Sequence, residues 1–404
     1  RRTDLGAAWR WSADSQTWIK AHNGRQTTGL VLDDASYGPQ DYNYQSDEKG
    51  LFLRHTVMWG AHRVSAGWER VDRDTGSAIS DPYVTAPFTN TERYDMPWVA
   101  GEWRSGAWSW MAEAYWPRFN AQKGDRYADS LTGQDLDPPS EEGAEHSRNL
   151  LPRVGASLRF GPGRALHWAY QESLRAPGTH TLAPVATGAI AVDNQYQMAG
   201  SYARKHALQL DWEVGPATFF GASLSGQSIS NLVATNGRLF AQDMGALFDN
   251  VTTIAPVVLN AQTTLNTYDA TPIFGQGDLA QASVSANHLL GPRWSVLGSY
   301  LRTDSRNTGA GYAGNLLPGF ARDVALIQTT WRHEARSFSL LRMTWRDRLY
   351  SDEANWVERP AGWSLAMAHS WESSDRRWSF TGTVQRDLRN DERPTLWALL
   401  RYRI

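Results

Sequence analysis

Along most of the chain, hydrophobic and polar positions alternate with a period of two. The runs are about ten residues long and are separated by turn signals, as in strands with one apolar and one polar face. From Arg153 to Phe160, Val154, Ala156, Leu158 and Phe160 fall on one face and Arg153, Gly155, Ser157 and Arg159 on the other. Gly161-Pro162-Gly163-Arg164 supplies the φ values of a tight turn, and Leu166, Trp168 and Tyr170 return opposite His167, Gln171 and Ser173. Leu208, Leu210, Trp212 and Val214 likewise alternate with Gln209, Asp211 and Glu213 before a turn at Gly215-Pro216-Ala217. Further hairpins centre on Ala61-His62, Ser105-Gly106, Gly291-Pro292, Glu334-Ala335 and Ser373-Ser374-Asp375.

Short turns alternate with long polar loops, and that asymmetry belongs to outer-membrane barrels. The pattern therefore predicts an all-β chain, a transmembrane antiparallel β-barrel with short periplasmic turns and long extracellular loops, in one domain over residues 1–404. The expected size is about sixteen to eighteen strands. About fifteen follow Leu51, and Leu5, Ala7, Trp9 and Trp11 add one more. Residues 17–32 are either an extracellular loop or two further strands, and seventeen is rejected because bacterial barrels close with an even number. A soluble β-sandwich also alternates, but its turns do not divide into short and long classes.

Three loops are read as long. Residues 121–148 hold Asp135, Asp137, Glu141, Glu142 and Glu145 around Pro138-Pro139, and residues 303–321 are rich in Gly and Asn. Within 227–277, Leu239, Phe240, Met244, Leu247 and Phe248 recur at helical spacing. That segment is either an extracellular helix capping its neighbours or an inward fold that narrows a pore.

Composition supports the membrane reading. The mean hydropathy is -0.52, yet there are 20 Trp and aromatics make up 12%. Girdles at the two membrane interfaces accommodate such residues. No apolar run is long enough for a transmembrane helix. The chain has no cysteine, which removes disulfides and thiolate metal sites. A net charge of -2 argues against nucleic-acid partners. The start, Arg1-Arg2-Thr3-Asp4, is no signal peptide, so the chain reads as the mature form or C-terminal part of a longer precursor. No nucleophile elbow, phosphate loop or metalloprotease motif occurs, and no cofactor or metal is expected. The nearest His–Ser pairs, His146-Ser147 and His369-Ser370, are adjacent in sequence and so point to opposite faces of a strand. No enzyme is expected.

Leu151-Pro152-Arg153-Val154-Gly155, followed after a hairpin by Ser173-Leu174-Arg175-Ala176-Pro177, resembles a stretch in barrels of the TonB-dependent receptor family. The following strand pair, ending in Ser228-Ile229-Ser230-Asn231-Leu232, is similar to that family too. The resemblance implies an uptake receptor. The family's larger barrel, its N-terminal plug and its coupling box have no counterpart here. In size the chain is more similar to the C-terminal barrels that follow tetratricopeptide repeats in exopolysaccharide exporters. The end, where Leu396, Ala398, Leu400, Tyr402 and Ile404 alternate, resembles the terminal strand read by the barrel-assembly machinery.

The leading expectation is a channel for a solute or polymer, by exopolysaccharide export or porin-type diffusion. An uptake receptor barrel without a plug, or a structural, adhesive or phage-receptor barrel, is the alternative. By parity the pore would be lined by Arg63, Glu69, Arg153, Arg159, His167, Gln171, Gln209, Asp211, Glu213, Arg342, Arg346, Gln385, Arg401 and Arg403. Expected partners are outer-membrane lipid and lipopolysaccharide, the barrel-assembly machinery, and a periplasmic repeat domain or export partners.

Overall fold

The structure is a computed structural model. It describes all residues except 35–37, 81–83, 126–127, 130–139, 148–149, 178–180, 193–199, 232–273, 351, 389–393 and 403–404. For 28–34, 38–42, 44, 77–80, 84–88, 123–125, 128–129 and 140–147 the backbone alone is described.

One antiparallel sheet contains 20 strand segments. Trp108–Tyr115, Arg118–Asp125 and Ala128–Asp129 continue a single crossing, as do Ser140–Ser147 and Leu151–Gly161. That leaves about seventeen crossings among the described residues, each paired with its neighbour in sequence. The first of these breaks falls at Pro117, which has no N–H to give to the ladder. A sheet of this size bears out the expected sixteen to eighteen strands, although the sequence reading sets an odd count aside. Ser15–Asp34 is one 20-residue strand lying between Arg2–Ser12 and Gly38–Trp59, neither a loop nor two strands. Among the described residues, Arg2–Ser12 and Thr395–Tyr402 each pair on one side only, and Arg2–Ser12 is exposed throughout.

The short turns fall where the sequence placed them, and Gly60, Gly106, Gly163, Gly215 and Gly291 all take positive φ there. Register shifts at Arg10/Ser12, Arg159/Gly161 and Arg332/Glu334 also sit at these turns. On the opposite side the strands run long. Ser15–Asp34 and Gly38–Trp59 have 20 and 22 residues, where about ten tilted residues suffice to cross a bilayer. The surplus carries this part of the wall roughly 30 Å past the membrane at about 3.3 Å per residue.

All three loop readings lose residues to strand. Arg118–Asp125 pairs with Ser140–Ser147, so Glu141, Glu142 and Glu145 lie on a strand. Asp135 and Asp137 lie outside the described residues. Trp294–Asn307 runs as strand through 303–307, and the flanks of 227–277 are strand to Ser230 and from Gln276. The helical spacing at 239–248 lies outside the described residues.

The outward face is a belt of exposed apolar side chains, Leu224, Val284, Ile327, Met367 and Leu400 among them. Aromatics gather near the short turns, where Trp108 stacks on Trp110 and Trp294 on Trp331, both at 5.2 Å. Trp168 and Leu400 are exposed on this face, and Leu210 and Val296 are half-buried on it. The inward face is less polar than alternation implied. Phe52, Val71, Tyr94, Met96, Trp98, Tyr115 and Leu151 form a buried cluster there.

Candidate functional site

The buried cluster is covered by a segment that leaves the wall after Leu174. Arg175 N donates to Ser201 O and Gly200 N to Arg175 O, which closes the loop at its base. Pro177 cannot extend the ladder. Of the intervening chain, residues 181–192 return along the inner wall as a strap. Within it Ala186–Thr187 pairs with Ile190–Ala191 across a two-residue turn, with Gly188 at φ 58° and Ala189 at φ 68°. Positive φ at both central residues gives the turn whose twist suits a hairpin. The tip presses against wall backbone: a Cβ at Gly155 would lie 2.5 Å from Gly188 N, and one at Gly188 would lie 2.6 Å from Trp168 O. Glycine on both surfaces permits that approach.

Wall side chains hold the strap. Glu69, 2% exposed, accepts at Oε1 from Thr181 Oγ1 (2.6 Å), Leu182 N (2.7 Å) and Ala183 N (2.8 Å). Arg54 Nη1 donates to Leu182 O and Arg73 Nη1 to Pro177 O. Thr187 Oγ1 donates to Glu113 Oε1 at 2.9 Å, and Tyr115 OH donates to the other oxygen of that carboxylate. Arg153 lies between the two systems. Its Nη1 is 3.7 Å from Glu113 Oε2 and donates to Pro184 O, its Nε donates to Glu172 O, and its guanidinium covers the Tyr115 ring at 4.1 Å. Farther along, Ser157 Oγ donates to Gly188 O at 2.9 Å and Gln171 Nε2 to Ile190 O at 3.0 Å. His167 Nδ1 is 2.8 Å from Ser157 Oγ, and its Nε2 is 3.2 Å from Asp211 Oδ2.

Of the expected lining residues, the structure brings Glu69, Arg153, His167 and Gln171 together under the strap, with Asp211 joined through His167 and Gln209 donating in turn to Asp211. Glu69, Arg153 and Gln171 bond directly to strap atoms, and His167 reaches the strap through Ser157. Arg63 instead pairs with Glu102 at 2.5 Å. Arg342, 2% exposed, donates twice to Gln328 Oε1, and Arg346 donates to Asp347 O, both away from the strap. Arg159, Glu213 and Arg401 are exposed, Gln385 is half-buried on the inward face, and Arg403 lies outside the described residues. Glu113, Thr181, Tyr115 and the strap itself escaped the sequence reading. The one available signal was the Gly188-Ala189 pair beyond Pro177, a turn too short to stand out.

His369 Nδ1 lies 3.0 Å from Ser339 Oγ on the outward face, whereas Ser370 Oγ meets Thr381 Oγ1 on the inward one. The adjacent pair is thus split across the wall, and side chains of the other pair, His146-Ser147, are outside the described residues. Among the described residues no group of three acidic, His or Cys side chains could hold a metal.

No protein-family model matches the chain, and no curated protein does. Solved structures do. The ferric yersiniabactin uptake receptor FyuA of Yersinia pestis superposes with a TM-score of 0.64 at 12% identity over 95% of this chain and 55% of its own. The siderophore receptor PiuA of Acinetobacter baumannii gives 0.56 at 12% identity over 95% and 59%. The alcaligin outer-membrane receptor FauA of Bordetella pertussis gives 0.50 at 11% over 99% and 67%. The chain thus spans little more than half the length of the first of these. At such identities the likeness speaks to fold, and the fold is that of a bacterial outer-membrane β-barrel.

Proposed function

We propose that this chain forms barrel wall of an outer-membrane uptake receptor, and that its ligand is a chelated metal of the siderophore class. The strap is the observation that carries this reading. A diffusion pore or polymer conduit needs a wet, polar inner wall. Here an aromatic patch around Phe52, Tyr94, Trp98 and Tyr115 is sealed by an inward segment held on buried charges. Such a wall suits a barrel whose interior is packed with protein and whose traffic is gated. By name FyuA is a ferric yersiniabactin uptake receptor and PiuA a siderophore receptor, which supports uptake over the export or diffusion expected first. The long strands beyond the membrane would present the ligand-facing surface.

The test uses the full-length protein in cells stripped of other ferric-siderophore receptors, with a panel of radiolabelled ferric siderophores. Saturable accumulation that depends on this protein is expected for at least one chelate. No accumulation, combined with steady salt conductance in planar bilayers, would overturn the reading in favour of an open channel.

A further inference from the structure

On the long-loop side, two loops are locked together and hold one large aromatic side chain out in water. The loop after Trp294–Asn307 bends inward. Its Leu317 and Phe320 are buried with Ala203, Ile229 and Leu279 of the inward face, and a Cβ at Gly277 would lie 2.6 Å from Leu317. The loop after Ser337–Arg346 is fastened onto it. Glu353 Oε1 accepts from Asn307 Nδ2 at 2.8 Å and from Gly275 N at 3.2 Å, and Asn315 Nδ2 donates to Glu353 O at 2.8 Å. Asn355 clasps Leu316: its Oδ1 accepts from Leu316 N and its Nδ2 donates to Leu316 O, each at 2.9 Å. An apolar base and these cross-loop hydrogen bonds thus fix residues 353–355.

Trp356 follows directly. Asn355 takes φ 59°, and the Asp352 carboxylate accepts from Trp356 N at 3.1 Å and Val357 N at 2.7 Å, so the backbone on both sides of the indole is set. The side chain itself is 87% exposed, more than any other large apolar side chain among the described residues. Val357 and Leu316 beside it are exposed too. Single exposed hydrophobic residues are ordinary, and many ride on mobile loops. This one has a fixed backbone and an unburied ring, an arrangement that lowers the entropic cost of binding a partner. It also lies beyond the crossing Ser337–Arg346, so the lipid-facing belt does not account for it.

We propose that Trp356 receives an aromatic ring of the transported chelate, which makes the ligand an aryl-bearing metal chelate of low charge. The inference rests on the uptake reading and narrows it. Indole gains most from a flat partner ring, in offset or edge-to-face contact. Charge sets the second condition. Over 347–361, Arg348 and Arg359 stand against Asp347, Asp352, Glu353 and Glu358, which leaves the loop at -2. A strongly anionic chelate is repelled there, whereas a neutral one is not.

The test uses two neutral complexes that differ only in the ring: chromium(III) tris(benzohydroxamate) and chromium(III) tris(acetohydroxamate), slow-exchanging stand-ins for the iron(III) forms. Binding to folded full-length protein in detergent is measured by isothermal titration calorimetry. The benzo complex should bind roughly three- to tenfold tighter, the range of an aromatic pair. Trp356→Ala should abolish that preference and leave the aceto complex unchanged, whereas Trp356→Phe should keep part of it. Heat-modifiable gel mobility confirms folding, which so exposed a side chain does not support. If no ferric chelate of the uptake panel accumulates, the uptake reading falls and this assignment with it. If one does, equal binding of the two complexes by the wild type, or an undiminished preference in Trp356→Ala, overturns this assignment alone.

Discussion

Glu69→Ala is the perturbation that most directly probes how the strap is held. The carboxylate accepts one hydroxyl and two backbone N–H donors from Thr181, Leu182 and Ala183, at 2.6–2.8 Å, where Glu69 is 2% exposed. Hydrogen bonds to a charged group contribute about 1.5–3 kcal/mol each, and a buried donor left unsatisfied costs about 1–3 kcal/mol. These terms overlap, so the strap should lose about 3–5 kcal/mol of docking, as when a buried charged network loses one member. The strands around it keep their ladders, so the loss stays local. At about 1.4 kcal/mol per tenfold, amide exchange at Leu182 and Ala183 should speed up by at least a hundredfold. Glu69→Gln keeps an acceptor without its charge and should show a smaller change. The assay is hydrogen–deuterium exchange of peptides covering 181–192, with the strand 202–213 as internal control. Unchanged protection in Glu69→Ala would refute the claim that this carboxylate anchors the strap, and equal loss in both regions would show that the effect is not local.

Gly155→Val should displace the same strap, because its Cβ would already lie 2.5 Å from Gly188 N; near-native exchange in this variant would contradict the close approach. Arg153→Ala should free the strap, through loss of Pro184 and Glu113 as partners, whereas exposed Arg159→Ala should leave exchange at 181–192 unchanged. Val284→Arg on the exposed outward face should destabilise the folded barrel by about 2–4 kcal/mol in urea titrations, while Ser283→Arg, one residue away on the inward face, should cost much less. In the loop after the strand Ser337–Arg346, the Asp352 carboxyl is held below its ordinary range mainly by the Val357 N–H, helped by the Trp356 N–H. Its contribution is present above the ordinary Asp range and should fade as pH falls below it, seen as faster exchange at Trp356 and Val357 in acid and none of it near neutrality.

Most of the wall was legible because a strand with one face to lipid must alternate, and alternation survives in a single sequence. Val154, Leu158 and Trp168 against Arg153, Ser157 and His167 reveal the facing of their strands from sequence alone. The strand Ser15–Asp34 was not legible, since beyond the membrane neither face needs to be apolar and the period-two signal fades into Asn23-Gly24-Arg25-Gln26. The cluster under the strap was missed for the opposite reason. Phe52, Tyr94 and Trp98 are apolar on the inward face, and only a covering segment accounts for that.

By itself the sequence determined a transmembrane antiparallel wall, the places of its short turns, and which side chains of each strand share a face. These are local consequences of a two-residue period and of glycine's freedom at positive φ. The tertiary structure decided what the inward charges do. Glu69 and Arg153 lie 84 positions apart in the chain and converge on residues 181–187 because wall and strap fold onto each other. It also decided that residues 15–34 form one strand, which follows from strand neighbours rather than from any run of sequence. A one-dimensional pattern records which face a residue takes, and packing alone determines what stands opposite that face.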